Sequence, residues 1–116
     1  MKVINKTRRK TIAESAKICP SPLSKAKGLM FSKPLKDKAL VFVFKKPKQV
    51  VLHTLFVFFP IDIMFLDKKQ RVVETIGDVK PFTPLIRSRE SVNFVIELPN
   101  GTIKRTKTRV KDLIQF

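Results

Sequence analysis

The sequence predicts a mainly β fold with a minor mixed α+β character: a small single-domain β barrel or sandwich-like fold with one or two short helices. Three observations predict it. Short Val-, Ile- and Phe-rich runs recur along the chain, and such residues fit a pleated, half-buried surface. Turn residues (Pro, Asn, Gly, Asp) bound those runs, giving about six to eight short strands. At 116 residues and 43% hydrophobic content, the chain also has enough apolar surface for one real core.

Each element has its own local reason. Residues 2–9 alternate weakly and are expected as a first strand; 11–18 follow as a second strand or a short helix. The first ten residues read as a basic N-terminal strand or arm, and 11–116 as the single globular domain. Within CPSPLSKAKGLMF, Ser21 suits an N-cap and Pro22 the first helical position, so a helix is predicted over 22–29, weakening at Gly28. Residues 33–38 are polar, contain Pro34 and read as a loop. ALVFVF (39–44) is apolar on both faces and predicts a buried central strand, closed by the charged turn KKPKQ.

Residues 50–56 and 61–66 are predicted as two strands meeting near Phe58 and Pro60. DKKQ makes a polar turn opened by Asp67, and RVVETI (71–76) is the hairpin partner that follows. Residues 77–90 hold Pro81 and Pro84 without periodicity and read as a long excursion. VNFVIEL (92–98) is another strand, broken by Pro99-Asn100-Gly101. A turn of helix over 102–108 and a last strand over 111–116 complete the chain.

The most apolar stretch, VVLHTLFVFFPIDIMFLD (50–67), does not read as a membrane span. A spanning helix needs about 20 apolar residues. Pro60 would break one, and Asp62 near its middle would cost roughly 3 kcal/mol. Cys19, the single cysteine, excludes an internal disulfide and a Cys-based zinc cluster, and reads as a small buried hydrophobe. The basic MKVINKTRRK start lacks a following apolar h-region, so no secretory signal is expected and a reduced, cytoplasmic setting fits.

The formal net charge is +16, unevenly spread. Residues 1–48 carry 14 Lys or Arg against Glu14 and Asp37, whereas 49–116 carry 11 against 7 acids. With only four Glu, ion pairing does not absorb the excess, which predicts attraction to polyanions or acidic surfaces. The basic candidates are Arg8, Arg9 and Lys10, then Lys25 and Lys27, then Lys45, Lys46 and Lys48. Gathered on one side they would neutralise phosphates. Single-strand binding also wants exposed aromatics for stacking, and there is no Tyr or Trp, while most of the ten Phe lie in apolar runs.

His53, Thr54 and Asp62 are polar groups among apolar neighbours. A tight hairpin centred between positions 57 and 58 places His53 opposite Asp62, with Cβ atoms about 5 Å apart. Such a pair forms a ligand site or an acid/base couple, or simply satisfies itself in the core. Asp62 and Asp67 face opposite sides of one strand about 17 Å apart, so they flank no common bond. Glu97 reads as a strand residue pairing with a base such as Arg71 or Lys104. No serine or cysteine has an adjacent base, one histidine makes no metal cluster, and phosphate-binding glycine motifs are absent. No catalytic residue, metal or cofactor is assigned.

KAKGLMF (25–31), LVFVF (40–44), LHTLFVFFPIDIMFLDKKQRVVE (52–74) and VIELPNGTI (95–103) occur in one order. That order resembles domain-of-unknown-function family 192, also known as uncharacterised protein family 127, and is most similar to archaeal members. The resemblance spans residues 11–116 and implies a compact, mainly β fold and no reaction. Four positions depart from the family pattern. Val57 and Phe58 stand where Met-Arg is usual, Lys27 replaces an Arg, and Lys111 occupies the Gly of a V-G-D turn. The leading functional expectation is a noncatalytic small-ligand-binding or interaction module with a pocket near His53, Thr54 and Asp62. The alternative is a nucleic-acid-associated protein making nonspecific phosphate contacts. The third reading is an enzyme on a polar or anionic small molecule, which needs a second ionisable group beside His53.

Overall fold

A five-stranded sheet forms the centre of the computed structural model, which describes residues 1–19 and 33–116. In spatial order it holds β3 (Ser15–Cys19), β4 (Lys38–Lys48), β9 (Val92–Pro99), β6 (Ile61–Leu66) and β7 (Val72–Val79). β3 and β4 run parallel; the other neighbours are antiparallel. A three-stranded sheet joins β10 (Ile114–Gln115), β1 (Val3–Asn5) and β2 (Lys10–Ala13). A two-stranded ribbon pairs β5 (Val51–Leu52) with β8 (Ile86–Arg87). One short helix, α1 (Thr102–Thr106), stands among the described residues. The predicted mainly β class is what forms. β3 and β7 remain outer strands, so the central sheet does not close into a barrel.

Side-chain alternation divides the core in two. Ile61, Ile63 and Phe65 of β6 point to one face beside Phe42 and Val95, where Val50, Val57 and Ile86 cover them. Met64 and Leu66 point to the other face beside Val41 and Ile96, under Val3, Ile12 and Ile114. The β5–β8 ribbon and the three-stranded sheet therefore lie on opposite sides of the central sheet. All six residues of β6 are buried, which is why IDIMFL reads as a near-continuous apolar run. Each large side chain so buried contributes about 1.5–3 kcal/mol.

Several elements differ from expectation for identifiable reasons. The 11–18 segment splits at Glu14, whose N–H donates to the Asp37 carbonyl at 3.1 Å, sending β2 and β3 into different sheets. β4 runs on through Lys48 instead of turning at KKPKQ, with its register to β9 interrupted between Val43 and Lys48. The helix expected over 22–29 lies outside the described residues.

The predicted hairpin between 50–56 and 61–66 does not form. β5 pairs with β8, while β6 inserts between β7 and β9. Val57-Phe58 supplies no tight-turn chemistry, and the Thr54 backbone is committed elsewhere: its N–H donates to the Thr83 carbonyl, and its carbonyl accepts from Phe82 N, both at 2.8 Å. The DKKQ turn does form. Asp67 Oδ1 accepts from Lys69 N at 2.9 Å and Arg71 N at 3.0 Å, with Gln70 in the left-handed region at φ 64°. Near the end, Lys111 sits at φ 80° where the family pattern has Gly, held by its N–H to the Val72 carbonyl at 2.7 Å. Among the described residues no helix is long and apolar enough to cross a membrane.

Candidate functional site

The three residues singled out around the HT…FPID string are not brought together. His53 is exposed on the segment leaving β5, and its Nδ1 accepts from Leu55 N at 3.1 Å. Asp62 is 1% exposed and shares the parity of Met64, facing the opposite side of the central sheet. Its Oδ1 accepts from Asp78 N and its Oδ2 from Ile103 N, both at 2.9 Å. The carboxylate thereby ties β6 to the end of β7 and to α1. Its acceptor role is structural chemistry, since both oxygens serve main-chain donors.

Thr54 is buried and works as a staple. Its hydroxyl donates to the Lys80 carbonyl and accepts from Thr83 N, each at 2.7 Å, and its backbone bonds add Thr83 and Phe82. Two surface loops, 53–60 and 80–84, are thus locked to each other. The lock holds Phe56 and Phe82 at φ 59°, a backbone region that bulky L-residues rarely occupy. Phe56, Phe58 and Phe82 are exposed, and Phe82 meets each of the others edge-to-face, at centroid distances of 5.9 and 5.2 Å. Apolar runs in the sequence suggested buried rings here; the aromatic cluster instead projects from the surface.

The basic candidates sort into separate groups. Arg8 is engaged: its Nε lies 3.1 Å from Asp112 Oδ2, which also accepts from Asn5 Nδ2 at 2.9 Å and Arg109 N at 3.0 Å. Burial works to raise the Asp112 carboxyl, but these hydrogen bonds and the Arg8 charge hold it below its ordinary value. Arg9 and Lys10 instead line an open concavity of about 540 Å³ with Ile4, Lys6 and Thr11. Lys45, Lys46 and Lys48 are exposed along the end of β4, and Lys48 Nζ lies 6.0 Å from the Phe44 ring centroid. Lys25 and Lys27 lie outside the described residues.

The concavity has a simple local origin. In β1, Val3 and Asn5 are buried, so alternation turns Ile4 outward, and Lys6 continues that parity. Arg9 closes the turn in the left-handed region at φ 56° before β2 begins. Lys6, Arg9 and Lys10 therefore meet at one hairpin end with no carboxylate in the lining. Sequence reasoning named two of these three; Lys6 needed the strand parity.

Glu97 is the ionisable residue whose setting the sequence reading missed. It is 7% exposed, in register with Leu40 on β4 and Ile63 on β6. It pairs with neither expected base: Arg71 Nη1 donates to the Lys111 carbonyl at 3.1 Å, and Lys104 is exposed on α1. Burial pushes the Glu97 carboxyl up to about 7, with no offsetting donor or cation among the described residues. Cys19, on the same sheet face, is raised by burial, lowered by Lys17 and raised again by Glu97. The available signal was the apolar context on both sides, VNFVI before it and Leu-Pro after. Among the described residues no group of three or more His, Cys, Asp or Glu is placed to hold a metal ion.

Comparison with known proteins is consistent in fold and family. The family model DUF192, described as "Uncharacterized ACR", matches residues 3–116. A UPF0127 protein of Pyrococcus horikoshii is 30% identical, covering 98% of this chain and 97% of that protein. A UPF0127 protein of Thermococcus kodakarensis is also 30% identical, over 98% of this chain and 72% of its own length. A crystal structure of a Novosphingobium aromaticivorans protein of unknown function superposes with TM-score 0.88 at 20% identity, covering 99% of this chain and 82% of that one. Another, of a candidate transcription regulator from Sinorhizobium meliloti, gives 0.87 at 23%, covering 98% and 89%. At these identities the two structures establish the shared fold.

Proposed function

Since the chain belongs to the DUF192 family, which carries a fold and no assigned reaction, we propose a function from its own surface: a noncatalytic module that binds nucleic acid through phosphate contacts. The observation that carries this reading is the hairpin concavity, where Lys6, Arg9 and Lys10 converge without an acidic neighbour in the lining. Three cations at one open site suit a phosphate backbone, which offers repeated negative charge and needs no enclosed pocket. The formal net charge of +16 adds a long-range attraction in the same direction. A small-ligand site at His53, Thr54 and Asp62 is less well supported, because two of the three spend their polar atoms on neighbouring backbone.

The test is fluorescence anisotropy of labelled single-stranded RNA and duplex DNA over a salt series. Labelled nucleic acid is the right probe, since the protein has no Trp or Tyr. Log K is expected to fall linearly with log salt, and each phosphate-contacting cation removed should reduce that slope by about 1. The K6A/R9A/K10A variant should therefore lose most of the duplex slope. Wild-type protein that binds neither nucleic acid at 50 mM salt would refute the reading.

A further inference from the structure

The stapled loops on the far side of the central sheet present a second surface of different chemistry. Phe58 is 64% exposed and Phe82 43%, unusually high for large aromatic side chains fixed in place. Their rings meet at 78° with centroids 5.2 Å apart. Phe56 also meets Phe82 edge-to-face, at 5.9 Å, so Phe58 is the more open of the two rings. The rings are also pre-organised: Thr54 ties the 53–60 loop to the 80–84 loop through side chain and backbone. Little ordering entropy then remains to be lost on binding.

The segments that carry these rings are rich in cations. Residues 44–61 and 79–89 contain no Asp or Glu. Lys80 pairs with Asp78 at 2.6 Å and Arg89 Nε lies 3.9 Å from Glu74, whereas Lys45, Lys46, Lys48 and Arg87 have no carboxylate within ion-pair distance among the described residues. Arg87 lies directly opposite Val51 in the β5–β8 ribbon, so the two share its outer face while Leu52 and Ile86 turn into the core. The Lys45–Lys48 end of β4 leads into this ribbon through Gln49 and Val50, which are hydrogen-bonded to Ser88. Exposed aromatic faces on segments with unpaired cations match the pairing of bases and phosphates in an unpaired strand. A second copy of this chain fits poorly there, because it would bring like charge against like.

We infer that the Phe58–Phe82 face, with its flanking lysines and Arg87, is a stacking platform for the bases of single-stranded nucleic acid. The inference rests on the nucleic-acid reading above and narrows it: the aromatic face selects unpaired strands, whereas the hairpin concavity on the opposite side engages phosphate in any strand. Duplex bases are already stacked on one another and offer these rings nothing.

The experiment compares a labelled oligouridine with a labelled duplex DNA of equal length, using wild type, F58A/F82A, F58L/F82L and K6A/R9A/K10A. Both Phe side chains are exposed, so the substitutions open no core cavity; unchanged far-UV circular dichroism checks this. F58A/F82A should weaken oligouridine binding by about tenfold or more, leaving duplex affinity within about twofold and the salt slope intact. F58L/F82L should behave alike, because Leu keeps apolar area and loses the π face. Wild-type affinity in F58A/F82A overturns the inference while leaving the concavity reading intact. Loss confined to K6A/R9A/K10A has the same meaning. Unchanged single-strand binding in K6A/R9A/K10A, with loss in F58A/F82A, overturns the concavity reading instead. Retained binding by F58L/F82L, or binding to phosphatidylcholine/phosphatidylglycerol vesicles that F58A/F82A alone abolishes, identifies an apolar dock and overturns stacking.

Discussion

Replacing Glu97 by Gln should remove one pH-dependent contribution to stability. Glu97 is 7% exposed, and burial raises its carboxyl from 4.5 to about 7. At ~1.36 kcal/mol per pH unit of displacement, that rise corresponds to about 3 kcal/mol. The sign follows from proton linkage. Between 4.5 and 7 the folded protein holds a proton at Glu97 that the unfolded chain has released, so stability falls as pH rises through this window. Below 4.5 the contribution is fully present; above about 7 it is lost. Gln is nearly isosteric with the protonated acid and keeps the neutral state at every pH. E97Q and wild type should thus be nearly equally stable at pH 4.5, with E97Q more stable by about 3 kcal/mol at pH 8. Urea unfolding followed by far-UV circular dichroism at both pH values measures this directly. The difference between the two proteins isolates Glu97 from other titrating groups, including Asp112, whose depressed carboxyl acts in the opposite sense at acid pH. An offset that stays constant between pH 4.5 and 8 would refute the reasoning.

Two further outcomes follow from backbone geometry. Lys111→Gly should stabilise the fold by about 1 kcal/mol, because a lysine at φ 80° bears a steric penalty that glycine lacks, partly offset by glycine's greater unfolded-state freedom. Thermal melting should show a rise of a few degrees, and a lower midpoint would count against strain there. Asp62→Ala should cost about 2–4 kcal/mol by stranding the Asp78 and Ile103 N–H groups, whereas His53→Ala should stay within about 0.5 kcal/mol. Equal and large losses at both positions in denaturant titrations would point back to a coupled His53–Asp62 pair.

The elements most legible in the sequence are those whose local pattern and tertiary role agree. ALVFVF and IDIMFL read as buried strands because their side chains are apolar on both faces, and the central sheet covers both faces with core. Asp67 reads as a turn residue because its carboxylate satisfies donors two and four residues away, an interaction wholly within the turn. The hairpin about Val57-Phe58 fails for the converse reason. Strand propensity continues through VVLHTLFVFF, but register is a choice of partner, and the partners lie 26 to 36 residues on, at 80–87. The candidate site shares that fate. Symmetry about a turn set His53 against Asp62, yet parity within β6 turns Asp62 away, toward α1.

By itself the sequence determined the class of fold, the family, and the excess of positive charge, because composition, periodicity and motif order need no long-range contact to be read. Only the tertiary structure decided which polar groups are consumed by the backbone and which meet solvent. Thr54 and Asp62, conspicuous as candidates, are spent holding loops and α1 in place. Phe58 and Phe82, unremarkable among ten phenylalanines, are raised to the surface by the staple at Thr54. Hydrophobicity says that a ring favours burial. Whether it is buried depends on which main-chain donors and acceptors must first be paired, and that is settled between segments distant in the chain.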